Sequence, residues 1–248
     1  MIFSTQALVL NKKNFGDTSV ICNLFSVDHG KFAIIAKGAR SIKNPMGAIL
    51  QPLNQIECIY YYKSGRNIQI LKEASIIEKY FYLEKSYTKM TYALTIADIV
   101  NHINYVEYPS KIIFRLTKKT LESINTSNVK DIDVLFTFFQ LQCLIYLGYQ
   151  PALHCCAKCN VNLKSAIFDF SIGQLTCLKC SNYKLKLDYE SLKIIDYLMK
   201  THIDQIIDEF VYSYKKFDKI NHFLYKYILY HLPDIKKSKA LAIKNYNE

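Results

Sequence analysis

The sequence predicts an α+β protein of more than one domain: an N-terminal OB-type β-barrel followed by an all-helical domain carrying an inserted four-cysteine zinc ribbon. Three observations support this. Five short β-type runs fill the first 72 residues, and apolar residues recur at helical spacing from about residue 76 onward. Two C-x2-C pairs, Cys156/Cys159 and Cys177/Cys180, stand seventeen residues apart. At 248 residues the chain is long enough to bury more than one core. The expected boundaries are residues 1–75 for the barrel and 76–248 for the helical domain, with the ribbon at about 152–186.

The strand runs are Ala7–Leu10, Val20–Phe25, Lys31–Ala36, Ile56–Tyr62 and Asn67–Leu71. Phe15-Gly16-Asp17, Asp28-His29-Gly30, Lys37-Gly38-Ala39, Asn44-Pro45-Met46-Gly47 and Lys63-Ser64-Gly65 supply the turns between them. Five short strands without a long helix fit a partly open Greek-key barrel. Phe15, Phe25 and Phe32 read as core.

Helical spacing follows. Met90, Ala93, Leu94, Ala97, Val100 and Ile103 form one apolar stripe. Pro109-Ser110 opens a second helix with Ile113, Leu116, Thr117, Leu121 and Ile124 on one face. Asp131 is the expected N-cap of a third, which carries Val134, Phe138, Leu141 and Ile145 and stops at Gly148 before Pro151. After the ribbon, Leu192, Ile195, Leu198 and Met199 mark a further helix. A last one runs from about Lys215 to Leu232, closed by Pro233 and a basic tail, Lys236-Lys237-Ser238-Lys239.

Two residues between cysteines let a tight turn aim both sulfurs at one ion. A second such pair completes a tetrahedron of thiolates at about 2.3 Å from zinc. Four protein ligands leave no open position, so the site is structural, one zinc per chain. Cys155 would make a looser gap than Cys156, and His154 reads as a neighbour rather than a ligand. Cys22, Cys58, Cys143 and Cys155 read as reduced core thiols of a cytosolic protein.

The net charge is +11, which suits a polyanionic partner. The Lys- and Asn-rich, Arg-poor composition is also what an AT-rich coding sequence yields without any function. From Lys12 to Lys43 there are six basic residues (Lys12, Lys13, Lys31, Lys37, Arg40 and Lys43) against Asp17 and Asp28. Most lie in or beside turns, where lysines at a barrel mouth can follow a phosphate backbone. The N-terminus lacks the basic and apolar regions of a signal peptide. No window has eighteen uninterrupted apolar residues. No Walker A pattern, H-E-x-x-H or G-x-S-x-G occurs, so no enzymatic centre is visible.

Several segments together resemble the bacterial RecO family of DNA repair and recombination mediators. They are Thr5–Leu10, Gly16-Asp17, Asp28–Lys31, Ala36–Arg40, Gln51-Pro52 and Leu71–Ala74 in the barrel. Farther on come Leu147–Leu153, the cysteine pairs, Gly173 and Lys237–Lys239. The resemblance implies an OB domain, a helical domain and a zinc ribbon. It implies binding of single- and double-stranded DNA, ATP-independent annealing, and help in loading recombinase onto strands coated with single-strand-binding protein. Its implied partners are RecR and the acidic tail of single-strand-binding protein, in the cytoplasm at the nucleoid. Within the matched Lys-Gly-Ala-Arg segment, Lys37 and Arg40 are the leading DNA contacts, ahead of Lys12, Lys13, Lys31 and Lys43. The chain departs from the family pattern at Asp17 (usually Glu), at Gln174 (usually a second glycine) and at Asn160 (usually glycine). An RNA-binding accessory protein and a zinc-stapled protein-interaction scaffold also fit the residues; a metalloenzyme would need an open coordination position that four cysteines do not leave.

Overall fold

The computed structural model describes residues 1–103, 110–209 and 214–237. Two compact units emerge among them, residues 1–126 and 127–237.

The first unit is built on a closed five-stranded barrel of order β1-β2-β3-β5-β4. The strands are β1 (Ile2–Phe15), β2 (Ser19–Ser26), β3 (Gly30–Ala36), β4 (Gln55–Tyr61) and β5 (Ile68–Glu78). Every contact is antiparallel except β3 with β5. The core holds Val9, Val20, Cys22, Leu24, Ile34, Ile56 and Cys58, all fully buried. β1 runs longer than its apolar segment because the polar stretch Asn11–Asn14 pairs with Val20–Asn23 as a hairpin arm. A bulge between Val9 and Asn11 shifts the side-chain alternation. Lys12 therefore lies across from the buried Cys22, and its Nζ donates to the Gly47 carbonyl at 2.6 Å. That bond ties down α1 (Met46–Ile49), the short helix between β3 and β4.

Leu8 and Leu10 lie on the outer face of β1 yet are only 3% exposed, because helix α3 (Tyr87–His102) packs there. α2 (Phe81–Glu84) and α4 (Lys111–Thr126) complete the unit, with Phe114 of α4 against Phe25 at a centroid distance of 5.5 Å. Helices of residues 76–126 thus group with the barrel rather than with the later helices. The apolar face of α3 is wider than one stripe, burying Tyr92, Ile96 and Ile99, while Leu94 faces solvent. Ser110 Oγ accepts from Ile113 N and caps α4; Pro109 lies outside the described residues, as do Ser238 and Lys239 of the basic tail.

In the second unit, α5 (Ile132–Tyr146) is buried nearly all round. Asp131 stands at its N-cap position but makes no side-chain cap bond there, because it closes a 3-10 turn, Val129–Asp131. The helix ends as expected: Gly148 has φ +83° and Tyr149 N bonds back to Leu144 O. Next comes a three-stranded sheet of order β7-β6-β8, formed by β6 (Ala166–Asp169), β7 (Gln174–Thr176) and β8 (Lys186–Leu187). α6 (Tyr189–Lys200), α7 (Ile203–Glu209) and α8 (Tyr214–His231) close the unit. Phe168 of β6 is the link, fully buried against Phe223 and Tyr227 of α8. Among the described residues no helix is long and apolar enough to cross a membrane.

Candidate metal centre and nucleic-acid interface

Two turns bring the four cysteines together. In the first, Asn160 N bonds to Cys156 O, with Asn160 in the left-handed region at φ +57°. Asparagine tolerates that conformation better than most residues, so the turn does without a glycine at little cost. In the second, Cys180 N bonds to Cys177 O. Ala157 N bonds to Leu175 O, so the first turn is hung directly on the β7 backbone.

The ligand sulfurs of Cys156, Cys159, Cys177 and Cys180 all lie within 4.8 Å of one another, with Cys159 and Cys177 at 3.7 Å. A tetrahedron with metal–sulfur bonds of about 2.3 Å has sulfur–sulfur edges of about 3.8 Å. The donor set fits a tetrahedral, thiophilic ion with no position left over. All eight cysteines are free. Cys155 stays outside the cluster, bridging Asn162, and His154 turns to Asp196 at 3.7 Å. Cys22, Cys58 and Cys143 are buried core thiols, whereas Cys155 is only half-buried at the ribbon's edge.

The electrostatics suit thiolate. Burial opposes ionisation of Cys156, but backbone donors from Cys177, Cys159 and Lys158 outweigh it and bring its thiol down to about 6. Cys180 moves the other way, to about 12, because its thiol donates to Cys159 and Cys177. Four sulfurs this close cannot all ionise without a cation among them. Lys158 braces the second turn, donating to Asp169 Oδ2 at 2.6 Å and to Cys180 O at 3.3 Å. Asp169, held by Lys158 and Ser171, is lowered to about 2.

Gly173 ties this ribbon to α8. Its φ is +65°, its carbonyl meets His231 Nε2 at 2.9 Å, and a Cβ there would lie 2.0 Å from the Tyr230 ring. Gln174 already begins extended β7, so no second glycine is needed there.

The basic residues of the barrel divide into two groups. Lys12 and Lys31 are half-buried, their Nζ atoms donating to the carbonyls of Gly47 and Asn101. Lys13, Lys37, Arg40 and Lys43 are exposed. Arg40 N donates to Thr18 O and its guanidinium to Gly16 O at 3.1 Å, which fastens the loop after β3 onto the β1–β2 turn. Gly38, at φ +68°, makes the loop's reversal, and Asn44 Nδ2 pins its carbonyl. One barrel end thus carries Lys37, Arg40 and Lys43 on a braced loop, with Lys13 on the adjoining hairpin and Asp17 at the tip. Of the phenylalanines expected in the core, Phe25 is fully buried, Phe32 half-buried and Phe15 53% exposed, lying at the end of the hairpin arm.

A five-stranded barrel joined to a helical unit with a four-thiol ribbon defines a class of small, basic barrel proteins with a thiol cluster able to take a metal ion. Family models resolve the class further. Residues 1–80 match the model "Recombination protein O N terminal" and residues 84–240 match "Recombination protein O C terminal". The chain belongs to the RecO family. Among curated relatives, a protein of Caldanaerobacter subterraneus is 27% identical over 86% of this chain and 93% of its own length. One of Alkaliphilus metalliredigens is 24% identical over 94% of each chain. The match to a protein of Salinibacter ruber is 33% identical but covers 61% of this chain and 58% of that relative. All three are named DNA repair protein RecO.

Proposed function

We propose that the chain is a DNA repair and recombination mediator. It binds single- and double-stranded DNA, anneals complementary strands without ATP, and helps load recombinase onto strands coated with single-strand-binding protein. RecR and the acidic tail of single-strand-binding protein are its partners, and it works in the cytoplasm at the nucleoid. The observation that carries this reading is the exposed cationic end of a barrel belonging to the RecO family. In it, Lys37 and Arg40 make the principal phosphate contacts, with Lys13 and Lys43 beside them. Lys12 and Lys31 add charge nearby while their ammonium groups hold α1 and α3. The four thiolates take one structural zinc that stiffens the ribbon and does no chemistry, and the protein is not an enzyme.

Equilibrium binding of labelled single- and double-stranded DNA, with RNA as competitor, tests the reading. Binding of both DNA forms at physiological salt is expected. Preference for RNA would move the protein to the accessory class, and no binding of either would make it a scaffold.

A further inference from the structure

The barrel end opposite the cationic loop holds a second feature. β1 starts there, and β4 ends there with Phe3 paired to Tyr60. The β2–β3 turn, with Asp28 and His29, closes the same end. Between them lies a cavity of about 430 Å³, in the range that encloses small ligands. Five rings wall it. Phe3 stands at the centre, stacked on His29 at 5.3 Å and 25°, with Tyr62 at 4.9 Å. Phe32 and Tyr60 stack at 4.8 Å and form the floor. His29 and Tyr62 are exposed, whereas Tyr60 is 2% exposed. A barrel core has no use for a ring wall that opens to water, and such a surface marks a binding site.

The polar surroundings narrow the ligand. Asp28, at the cavity edge, accepts from Thr5 Oγ1 at 3.0 Å; its carboxylate repels phosphate and suits the amino edge of a base. Gln69, also lining the cavity, holds the β4–β5 turn: its Oε1 accepts from Lys63 N, and its Nε2 donates to the carbonyls of Lys63 and Arg66. That turn, which follows the cavity-lining Tyr62 directly, contains two cations, Lys63 and Arg66. A carboxylate among rings would also attract an organic cation, but two cations in the adjoining turn oppose one. Aromatic faces inside, an acceptor at the edge and cations outside match a nucleotide entered base first.

We infer that this cavity is a stacking site for an unpaired base of a single strand, whose neighbouring phosphates meet Lys63 and Arg66. The inference rests on the DNA-binding reading above and adds to it. Duplex DNA cannot use the site, because its bases are already stacked. The cationic loop at the other end would serve both forms, and the ring cavity only single strands.

The test uses the full chain with His29→Ala and Tyr62→Ala combined, both exposed positions, after circular dichroism shows an unchanged fold. An oligonucleotide of about 12 residues should bind about tenfold more weakly. Duplex affinity and the slope of log K against log salt should stay at wild-type values, since no phosphate contact is lost. A measurement without any variant stands beside it: an abasic strand of the same length should bind wild-type protein about as weakly as the intact strand binds the variant. Unchanged affinity of the variant for the intact strand, or wild-type protein indifferent to base removal, overturns the inference. If strand binding responds to Lys37 and Arg40 but not to the rings, only this inference fails. If wild-type protein binds neither strand nor duplex, the DNA-binding reading fails and takes the inference with it.

Discussion

Replacing Cys156 with serine removes one corner of the sulfur tetrahedron. Cys156 is 2% exposed and its Sγ accepts the Cys177 amide, so serine leaves a shorter, harder acceptor in a buried position. The larger effect comes through the metal. A site occupied at a thousand times its dissociation constant stabilises the folded state by about 4 kcal/mol. A chain of this size loses about 2–4 °C of Tm per kcal/mol, so the protein, melting as one, should melt about 8–16 °C lower. It should still fold, because Phe168, Leu175 and Leu187 anchor the ribbon sheet at 0–2% exposure without help from any ion. The assay is a thermal melt with and without chelator, paired with metal analysis of freshly purified protein. Wild-type protein should carry about one zinc per chain and fall to the variant's Tm on chelation, while the variant should not respond. A wild-type melt indifferent to chelator, or a variant with full zinc content, would refute the assignment.

Other outcomes follow from the same geometry. Lys37→Ala with Arg40→Ala should weaken single-strand binding evenly across sequences and lower the salt slope by about 1.4, read by anisotropy at several salt concentrations. Gly173→Ala should cost more than about 2 kcal/mol, because a Cβ meets the Tyr230 ring and φ is +65°. Adding Tyr230→Ala should recover the steric part but not the backbone part, as denaturant melts will show. Asp169 is lowered from 3.8 to about 2, so its carboxylate stabilises the fold above about pH 4, and that contribution is lost as pH falls toward 2. Asp169→Asn should therefore lower stability by about 1–2 kcal/mol at pH 7, an amount discounted for the partly exposed Lys158, and the gap to wild type should close in acid.

The barrel was legible because its five strands are apolar runs cut by glycine and asparagine turns. The extra length of β1 was not. Asn11–Asn14 has the composition of a loop, and only pairing with Val20–Asn23 makes it a strand. The partner of α3 was equally hidden, since an apolar stripe reports burial and not which surface buries it; the outer face of β1 was the answer. The candidate metal centre stood out because its four cysteines fall in two short motifs. Spacing also separated Cys156 from Cys155, and the structure has the same division. The sequence ranks Lys37 and Arg40 ahead of Lys12, Lys13, Lys31 and Lys43 but does not separate the last four. The bulge after Val9 turns Lys12 inward, and the Asn101 carbonyl takes Lys31, which no count of lysines reveals. The ring cavity is drawn from β1, the β2–β3 turn, β3, β4 and β5. Its members have no common spacing, and only barrel closure brings them together.

The mediator reading meets its most direct test in the annealing of two complementary labelled DNA strands, each coated beforehand with single-strand-binding protein, with no nucleotide present. The account predicts that the protein accelerates annealing over the protein-free control and that Lys37→Ala with Arg40→Ala slows it. Annealing no faster than the control, by protein that still binds DNA, would contradict it.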